Sequence, residues 1–367
     1  MRKNLEKKWT ILIYADGNNE MESIMYNSLL ACEKVVSNND VNVVFEIGRL
    51  GNYKSKNNVN WSGVRRYYVD KGSLILVGDL GKSNMADPNN LYSFIKWGIE
   101  NYKAEHYMVL LSDHGGDFIG CFTDESLDKP YIMGIPEMIQ AINALKINLG
   151  YEIDVLVLDM CYMNSIEVIY ELGQSNTHTV QTVITYMDYA AYDGISYERL
   201  VCLTEKYCCI SNLNLFIENL INDLDFDLMA FEINHDKLKA IKELFDSAAH
   251  LYHLEGTTEN LFESLNKNIN YRKEDSFIKN INNLLNSMLI KSKAPFNGLS
   301  TSIKVTSKDI EQLIAFYKKL AFSKNNFWTE FLSSVPIHKQ NRDTSKINVA
   351  LTSSSSPVVH YIIKFYS

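Results

Sequence analysis

The chain has 367 residues, 46% of them hydrophobic and 22% charged, with a formal net charge of −8. That composition fits a soluble globular protein with one large domain or two ordinary ones, and nothing in it suggests long disordered stretches. The acidic balance speaks against extended nucleic-acid binding, and no apolar run approaches the roughly 18 residues needed to span a bilayer.

The N-terminal run Met1-Arg2-Lys3-Asn4-Leu5-Glu6-Lys7-Lys8 is basic but leads straight into a short strand. It lacks the apolar region and small-residue cleavage site of a secretion signal, so the expectation is a cytoplasmic protein, or a secreted one if the N-terminus is trimmed. Cys32, Cys121, Cys161, Cys202, Cys208 and Cys209 show no zinc spacing and sit in a chain much larger than disulfide-framework domains. Cysteines other than Cys161 are expected to be free packing thiols, with Cys208 and Cys209 on a helix.

Residues 9–15 form an apolar, β-branched run that reads as a strand and ends at Asp16-Gly17-Asn18-Asn19. A helix is expected next, with Glu20 and Glu22 in its first turn as the helix dipole prefers. Residues 41–47 read as a second buried strand and 65–69 as an edge strand. Asp87-Pro88 opens a helix with Leu91, Phe94, Ile95 and Trp97 on its apolar stripe. Residues 107–111 and 153–158 are buried strands flanking a helix over 135–149. A further helix over 166–172 and a strand over 180–185 follow.

Strands alternating with helices predict parallel βαβ units, and so an α/β fold: a three-layer α/β/α sandwich with a mostly parallel central sheet and a helical C-terminal part. Residues 1–210 read as the core. Residues 211–335 read as mainly helical, with a strand near 298–305 that can join the main sheet and a helix over 308–322. Residues 336–367 read as a polar loop with a terminal strand over 358–365.

Two of these strands end on chemistry. Ser112-Asp113-His114-Gly115-Gly116 follows one, and Leu158-Asp159-Met160-Cys161-Tyr162 follows another. Consecutive parallel strands end on the same edge of an α/β sheet, where ligands gather. A base and a sulfur nucleophile at that edge can attack a carbonyl, His114 exchanging the protons and Cys161 supplying the thiolate. Gly115, without a Cβ, lets backbone N–H approach a substrate, and with the N–H of Cys161 it can cradle an oxyanion. Separately, a cysteine after an apolar strand is more often packing, and a His-Gly in a turn is ordinary loop chemistry. Together, with the His about 50 residues ahead of the Cys, they have the order and spacing of caspase-type cysteine proteases.

The chain resembles the clostripain family of cysteine peptidases. The resemblance rests on residues 9–16, on Asp79-Leu80-Gly81 with Asn84-Met85-Ala86-Asp87-Pro88, on Ser112-Asp113-His114-Gly115, and on Asp159-Met160-Cys161-Tyr162-Met163 with Glu167. Gly298-Leu299-Ser300, Phe322-Ser323-Lys324, Trp328 and Phe331-Leu332 extend it to about residue 333. It implies a caspase-like fold, a catalytic pair of His114 and Cys161, and cleavage of protein or peptide substrates after Arg or Lys; a monomer is expected. It also implies that Asp159 lies at the floor of the pocket for the basic P1 side chain, with Thr185 and Asp188 nearby; a carboxylate there suits charge-assisted bonds to Arg or Lys. The alternative role for Asp159 is a cap on the following helix.

No cofactor is required by the resemblance, and calcium is used by some relatives. Asp16, Asp79, Asp113 and Asp159, read near strand ends, are the acidic rim that such an ion would need, although no ligand-rich loop appears and no metal is expected. Around Asp188 the chain reads Tyr186-Met187-Asp188 and Gly194-Ile195, where the family carries smaller residues and a Gly-Trp pair. Members are often self-cleaved between the two catalytic strands. Here that interval offers Lys129 followed by Pro130, a poor site because proline lacks an N–H, and Lys146 within a helix. The other readings of the same residues are a non-catalytic α/β binding or scaffold protein and a thiol amidase or transpeptidase acting on a non-protein substrate.

Overall fold

The computed structural model describes residues 6–35, 39–53, 61–187, 190, 193–255, 276–296 and 313–334. Its centre is a nine-stranded sheet in the order β11-β10-β9-β8-β5-β1-β2-β3-β4. The strands are β1 (Lys7–Ala15), β2 (Val41–Arg49), β3 (Gly63–Asp70), β4 (Ser73–Gly81), β5 (Ala104–Ser112), β8 (Ile153–Asp159), β9 (Val180–Tyr186), β10 (Leu228–Glu232) and β11 (Leu289–Ser292). The five central strands are mutually parallel, and those at either flank run antiparallel. β6 (Cys121–Asp124) and β7 (Tyr131–Met133) form a separate hairpin after the His114 turn.

Alternation along the central strands builds two cores. Leu12, Tyr14, Val109, Leu111, Leu156 and Leu158 face one side. Ile11, Ile13, Ala15, Met108, Leu110, Val155 and Val157 face the other. The first core is covered by α2 (Pro88–Asn101), α3 (Ile135–Leu149), α4 (Ile166–Leu172) and α7 (His235–Glu255). The second lies under α1 (Glu22–Ala31), α5 (Tyr197–Tyr207) and α6 (Leu213–Asp223). Burial on both faces is why the central strands read as continuous apolar runs, and the result is the three-layer sandwich expected. No helix among the described residues is long and apolar enough to cross a membrane.

Local chemistry sets the helix ends. Asp87 accepts the Asn89 N–H at 2.8 Å with Pro88 at the first helical position, and Ser165 and Ser196 cap α4 and α5. Gly150 ends α3 in the left-handed conformation at φ 73°. The C-terminal part grips α4: the Tyr317 hydroxyl donates to Glu167 at 3.0 Å, and the Phe322 N–H donates to Glu171 at 2.9 Å. Trp328 and Phe322 pack edge-on against Phe245 of α7.

Several expectations need correction. α1 begins at Glu22, so Glu20 lies in the turn before the helix. β3 is interior, because a hairpin through Lys71 and Gly72, at φ 48° and 83°, folds β4 back over it. The two left-handed residues supply the twist that joins antiparallel strands tightly. β10 and β11, too short to stand out within a helical region, extend the sheet beyond β9. Of the helix expected over 308–322, residues 313–317 are helical among the described residues. The strands expected at 298–305 and 358–365 lie outside the described residues.

Candidate active site

The central strands fix where the chemistry stands. β1 continues on one side into its partner β2, and the chain then crosses to β5 on its other side, which makes the C-terminal ends of β1 and β5 a crevice-forming position. In register, Ala15 lies opposite Ser112 and Ser112 lies opposite Asp159. His114 is two residues past Ser112 and Cys161 two past Asp159, so both leave the sheet at this edge.

The turns after the strands are tightly determined. Tyr162 takes φ 62°, a left-handed conformation that a bulky L-residue adopts at a cost, and it turns the chain sharply just after Cys161. A Cβ on Gly115 would lie 2.1 Å from the Cys161 carbonyl oxygen. The backbone that follows His114 therefore lies directly against the backbone of Cys161, a contact only glycine permits.

Cys161 is partly exposed and its thiol is free. Burial pushes its pKa up, the Ala190 backbone N–H bonded to it pulls down, and the Asp159 charge pushes up again; the net is upward. The thiol is thus the resting form unless a base takes its proton. For His114, burial pulls the pKa down, but the hydrogen bond to Glu20 and the charges of Asp113, Glu20 and Glu125 outweigh it and leave it raised. Its Nε2 sits 2.6 Å from Glu20 Oε1.

Asp159 is buried and surrounded by donors: the Tyr186 hydroxyl at 2.6 Å, Ser112 Oγ at 2.9 Å, the Ile195 N–H at 3.1 Å and the Tyr197 hydroxyl at 3.3 Å. Burial raises its pKa against the pull of these bonds. Gly194, at φ 67°, lets the backbone pass over it, since a Cβ there would stand 2.7 Å from Asp159 Oδ2. Thr185 is buried on β9 opposite Leu158, with no hydrogen bond from its Oγ1 among the described residues. Asp188 lies outside the described residues.

The acidic rim is assembled differently from the expectation. Asp79 stands on the outer strand β4, bonded to Arg65 and to the Gly81 N–H, away from the others. Asp16 and Asp113 are joined instead by Asp124. Asn19 donates to Asp113 at 2.8 Å, Asn18 donates to Asp124 at 2.8 Å, and the Asn18 N–H donates to Asp16 at 2.9 Å. The Thr123 and Met85 N–H groups complete Asp113 and Asp124. Burial, followed by the charges of Asp113 and Asp124, lifts Asp16 well above the carboxylate range, and burial pushes Asp113 up to about 7. Among the described residues no three His, Cys, Asp or Glu side chains are grouped to hold a metal.

The structure brings His114, Gly115, Cys161 and Asp159 to one edge, and adds residues the sequence did not single out. Ser112, Tyr186, Ile195 and Tyr197 matter only because three strand ends and a loop converge on Asp159. Glu20 carried a signal, an acid just past the end of β1, but it reads as helix-dipole chemistry until the His114 turn is seen beside it.

The chain was compared with known proteins. Clostripain of Hathewaya histolytica is 24% identical over 224 residues, covering 54% of this chain and 42% of that protein. This chain thus spans less than half the length of that relative. An inactive zymogen C11 protease from Parabacteroides distasonis superposes with a TM-score of 0.60 at 15% identity, covering 87% of this chain and 98% of that one. A secreted C11 cysteine protease from Bacteroides thetaiotaomicron, solved with an irreversible peptide inhibitor, gives 0.55 at 15% identity over 77% of this chain and 83% of that one. At such identities the superpositions speak for the fold, which these C11 proteases share. The sequence profile of the clostripain family matches residues 13–208, more than half of the chain and the span from the end of β1 through α5, and the protein belongs to that family.

Proposed function

We propose that the chain is a cysteine endopeptidase that hydrolyses protein or peptide bonds after Arg or Lys. His114 takes the Cys161 proton, and the sulfur attacks the scissile carbonyl carbon. The oxygen that becomes negative is held by the N–H groups of Gly115 and Cys161, the electrostatic contribution that usually dominates acyl transfer. His114 then returns the proton to the departing amine, leaving a thioester on Cys161. Water, deprotonated by the same imidazole, attacks the thioester and releases the acid and the thiol.

The observation that carries this reading is the Ser112–Asp159 register, which delivers the turns of His114 and Cys161 side by side. Asp159 is assigned to the P1 pocket. Its donors are formally neutral, so a guanidinium or ammonium brings the positive charge that the buried carboxylate lacks. Thr185 and Asp188 are assigned to the same pocket wall. Residues 1–210 are assigned as the catalytic core and 211–335 as a part that buttresses it through α4, with 336–367 beyond.

A panel of fluorogenic Arg, Lys and Asp peptides, run on wild-type and Cys161→Ala protein, tests the proposal. Turnover of the basic peptides that vanishes in Cys161→Ala is the expected result. Folded wild-type protein that turns over none of them, with or without calcium, would point to the scaffold reading instead. Labelling of Cys161 by an electrophile without peptide turnover would point to the amidase.

A further inference from the structure

We infer that Glu20 is the positioning carboxylate of His114, a third member of the site that fixes which imidazole nitrogen exchanges protons. This rests on the peptidase reading above. The geometry is specific: Glu20 Oε1 lies 2.6 Å from His114 Nε2. A carboxylate accepts, so in the neutral ring Nε2 carries the hydrogen, and the Nδ1 lone pair is left to take the thiol proton and give it to the leaving amine.

The carboxylate is held rather than merely nearby. An exposed ion pair usually contributes little, because two long side chains must be frozen to make it. Here the backbone on both sides of Glu20 is pinned. Asn19 donates to Asp113 Oδ1 at 2.8 Å and to the Thr123 carbonyl at 2.7 Å, while its own Oδ1 accepts the Met21 N–H at 2.8 Å. Two residues later, Glu22 accepts from Arg49 Nε at 3.0 Å and from the N–H groups of Gly51, Asn52 and Tyr53. Asn19 thereby ties the Glu20 turn to the residue immediately before His114, so acid and imidazole are referenced to one another through a single buried bond. The imidazole is 29% exposed and the Glu20 side chain 54%, so the pair lies at the rim of the site and the ring is the better shielded partner.

The charges of three acids act on the ring: Glu20 from the turn after β1, Asp113 from its own turn and Glu125 from the turn after β6. Among these, Glu20 bonds a ring nitrogen. Asp113 is turned away onto Asn19 and Thr123. Losing Glu20 is therefore expected to alter tautomer and orientation, whereas Glu125 supplies only background field.

The test uses full-length wild-type, Glu20→Gln and Glu20→Asp proteins. With a basic fluorogenic peptide, Glu20→Gln is expected to lower kcat by ten- to a hundred-fold, the scale of a misplaced catalytic group. KM should stay within about two-fold, as befits a residue that contacts no substrate, and Glu20→Asp should recover part of the loss. Side-chain nitrogen NMR of His114 should show the Nε2–H form in wild type and a lower His114 titration midpoint with mixed tautomers in Glu20→Gln. Unchanged kcat together with an unchanged tautomer would overturn the inference. Wild-type protein that cleaves no basic peptide would sink the peptidase reading alone, because the NMR comparison still decides whether Glu20 holds the ring.

Discussion

Ser112 and Asp159 stand directly opposite one another on the parallel strands β5 and β8, and the serine hydroxyl donates to the aspartate at 2.9 Å. This one cross-strand pair sets the level at which both chemistry-bearing turns begin. It also gives the buried acid one of its four donors. The buried carboxylate and the two turns are thus referenced to the same point on the sheet.

Asp159→Asn should therefore damage two properties at once. An amide replaces one acceptor oxygen with a donor, so either the Ser112 and Tyr197 hydroxyls or the Tyr186 hydroxyl and the Ile195 N–H lose their acceptor. Urea denaturation is expected to show a loss of about 1–3 kcal/mol, the usual penalty for disrupting a buried polar group. In kcat/KM, the preference for Arg and Lys over a neutral P1 residue of similar length should shrink by at least ten-fold. Retained basic preference in a folded Asp159→Asn protein would remove Asp159 from the pocket.

Gly115→Ala places a methyl group 2.1 Å from the Cys161 carbonyl oxygen. Backbone must move, since the nearest atom is a backbone carbonyl oxygen and the Met160 Cβ stands 3.0 Å away. A destabilisation of about 1–3 kcal/mol, typical of overpacking, is expected in denaturant titration. A fall in kcat larger than in KM should accompany it, because the shift separates His114 from Cys161 without touching the P1 pocket.

The buried Asp16–Asp113 pair makes stability depend on pH. Burial raises both acids, the charges of Asp113 and Asp124 raise Asp16 further, and Asp113 is brought to about 7. In the unfolded chain they titrate near pH 3.9. Between about pH 4 and 7 the native state therefore binds more protons than the unfolded one, and stability falls as pH rises. The contribution is fully present below about pH 4. Asp16→Asn keeps an oxygen for the Asn18 N–H and removes the charge, so it should flatten this slope and stabilise the protein more at pH 8 than at pH 5. Equal effects at both values, read from urea midpoints, would contradict the assignment.

Self-cleavage in the loop between the two catalytic strands should be slow. Lys129 is exposed, but Pro130 supplies no N–H at the scissile bond and fixes its own φ. Lys146 is held in α3 and paired with Glu152 at 2.7 Å. Mass spectrometry after incubation is expected to find the 125–130 loop intact in wild type, with a cut after Lys129 appearing in Pro130→Ala and disappearing in Pro130→Ala combined with Cys161→Ala.

Much of the sandwich was legible because its central strands are buried on both faces, which forces continuous apolar runs such as residues 153–158. Helices with strong stops, such as Ile135–Leu149 between Gly134 and Gly150, carried their boundaries in their own residues. β4 was not legible: its apolar side chains face out, with Leu76 49% and Ile75 44% exposed, so no burial pattern marks them. β10 and β11 were hidden by their length and by the helices around them.

By itself the sequence determined the layers, the strand ends and which residues are the candidate nucleophile and base, since these follow from local hydrophobic periodicity and from which residue types can exchange protons or attack a carbonyl. Only the tertiary structure decided which acid serves which partner. Asp79, Asp113, Asp159 and Glu20 look alike along the chain. Yet register places Asp159 beneath the site, β4 carries Asp79 out to the sheet edge, and the Asn19 bonds turn Asp113 inward while Glu20 reaches the imidazole. A carboxylate's role depends on what surrounds it at hydrogen-bond distance, and those surroundings come from strands far apart in sequence.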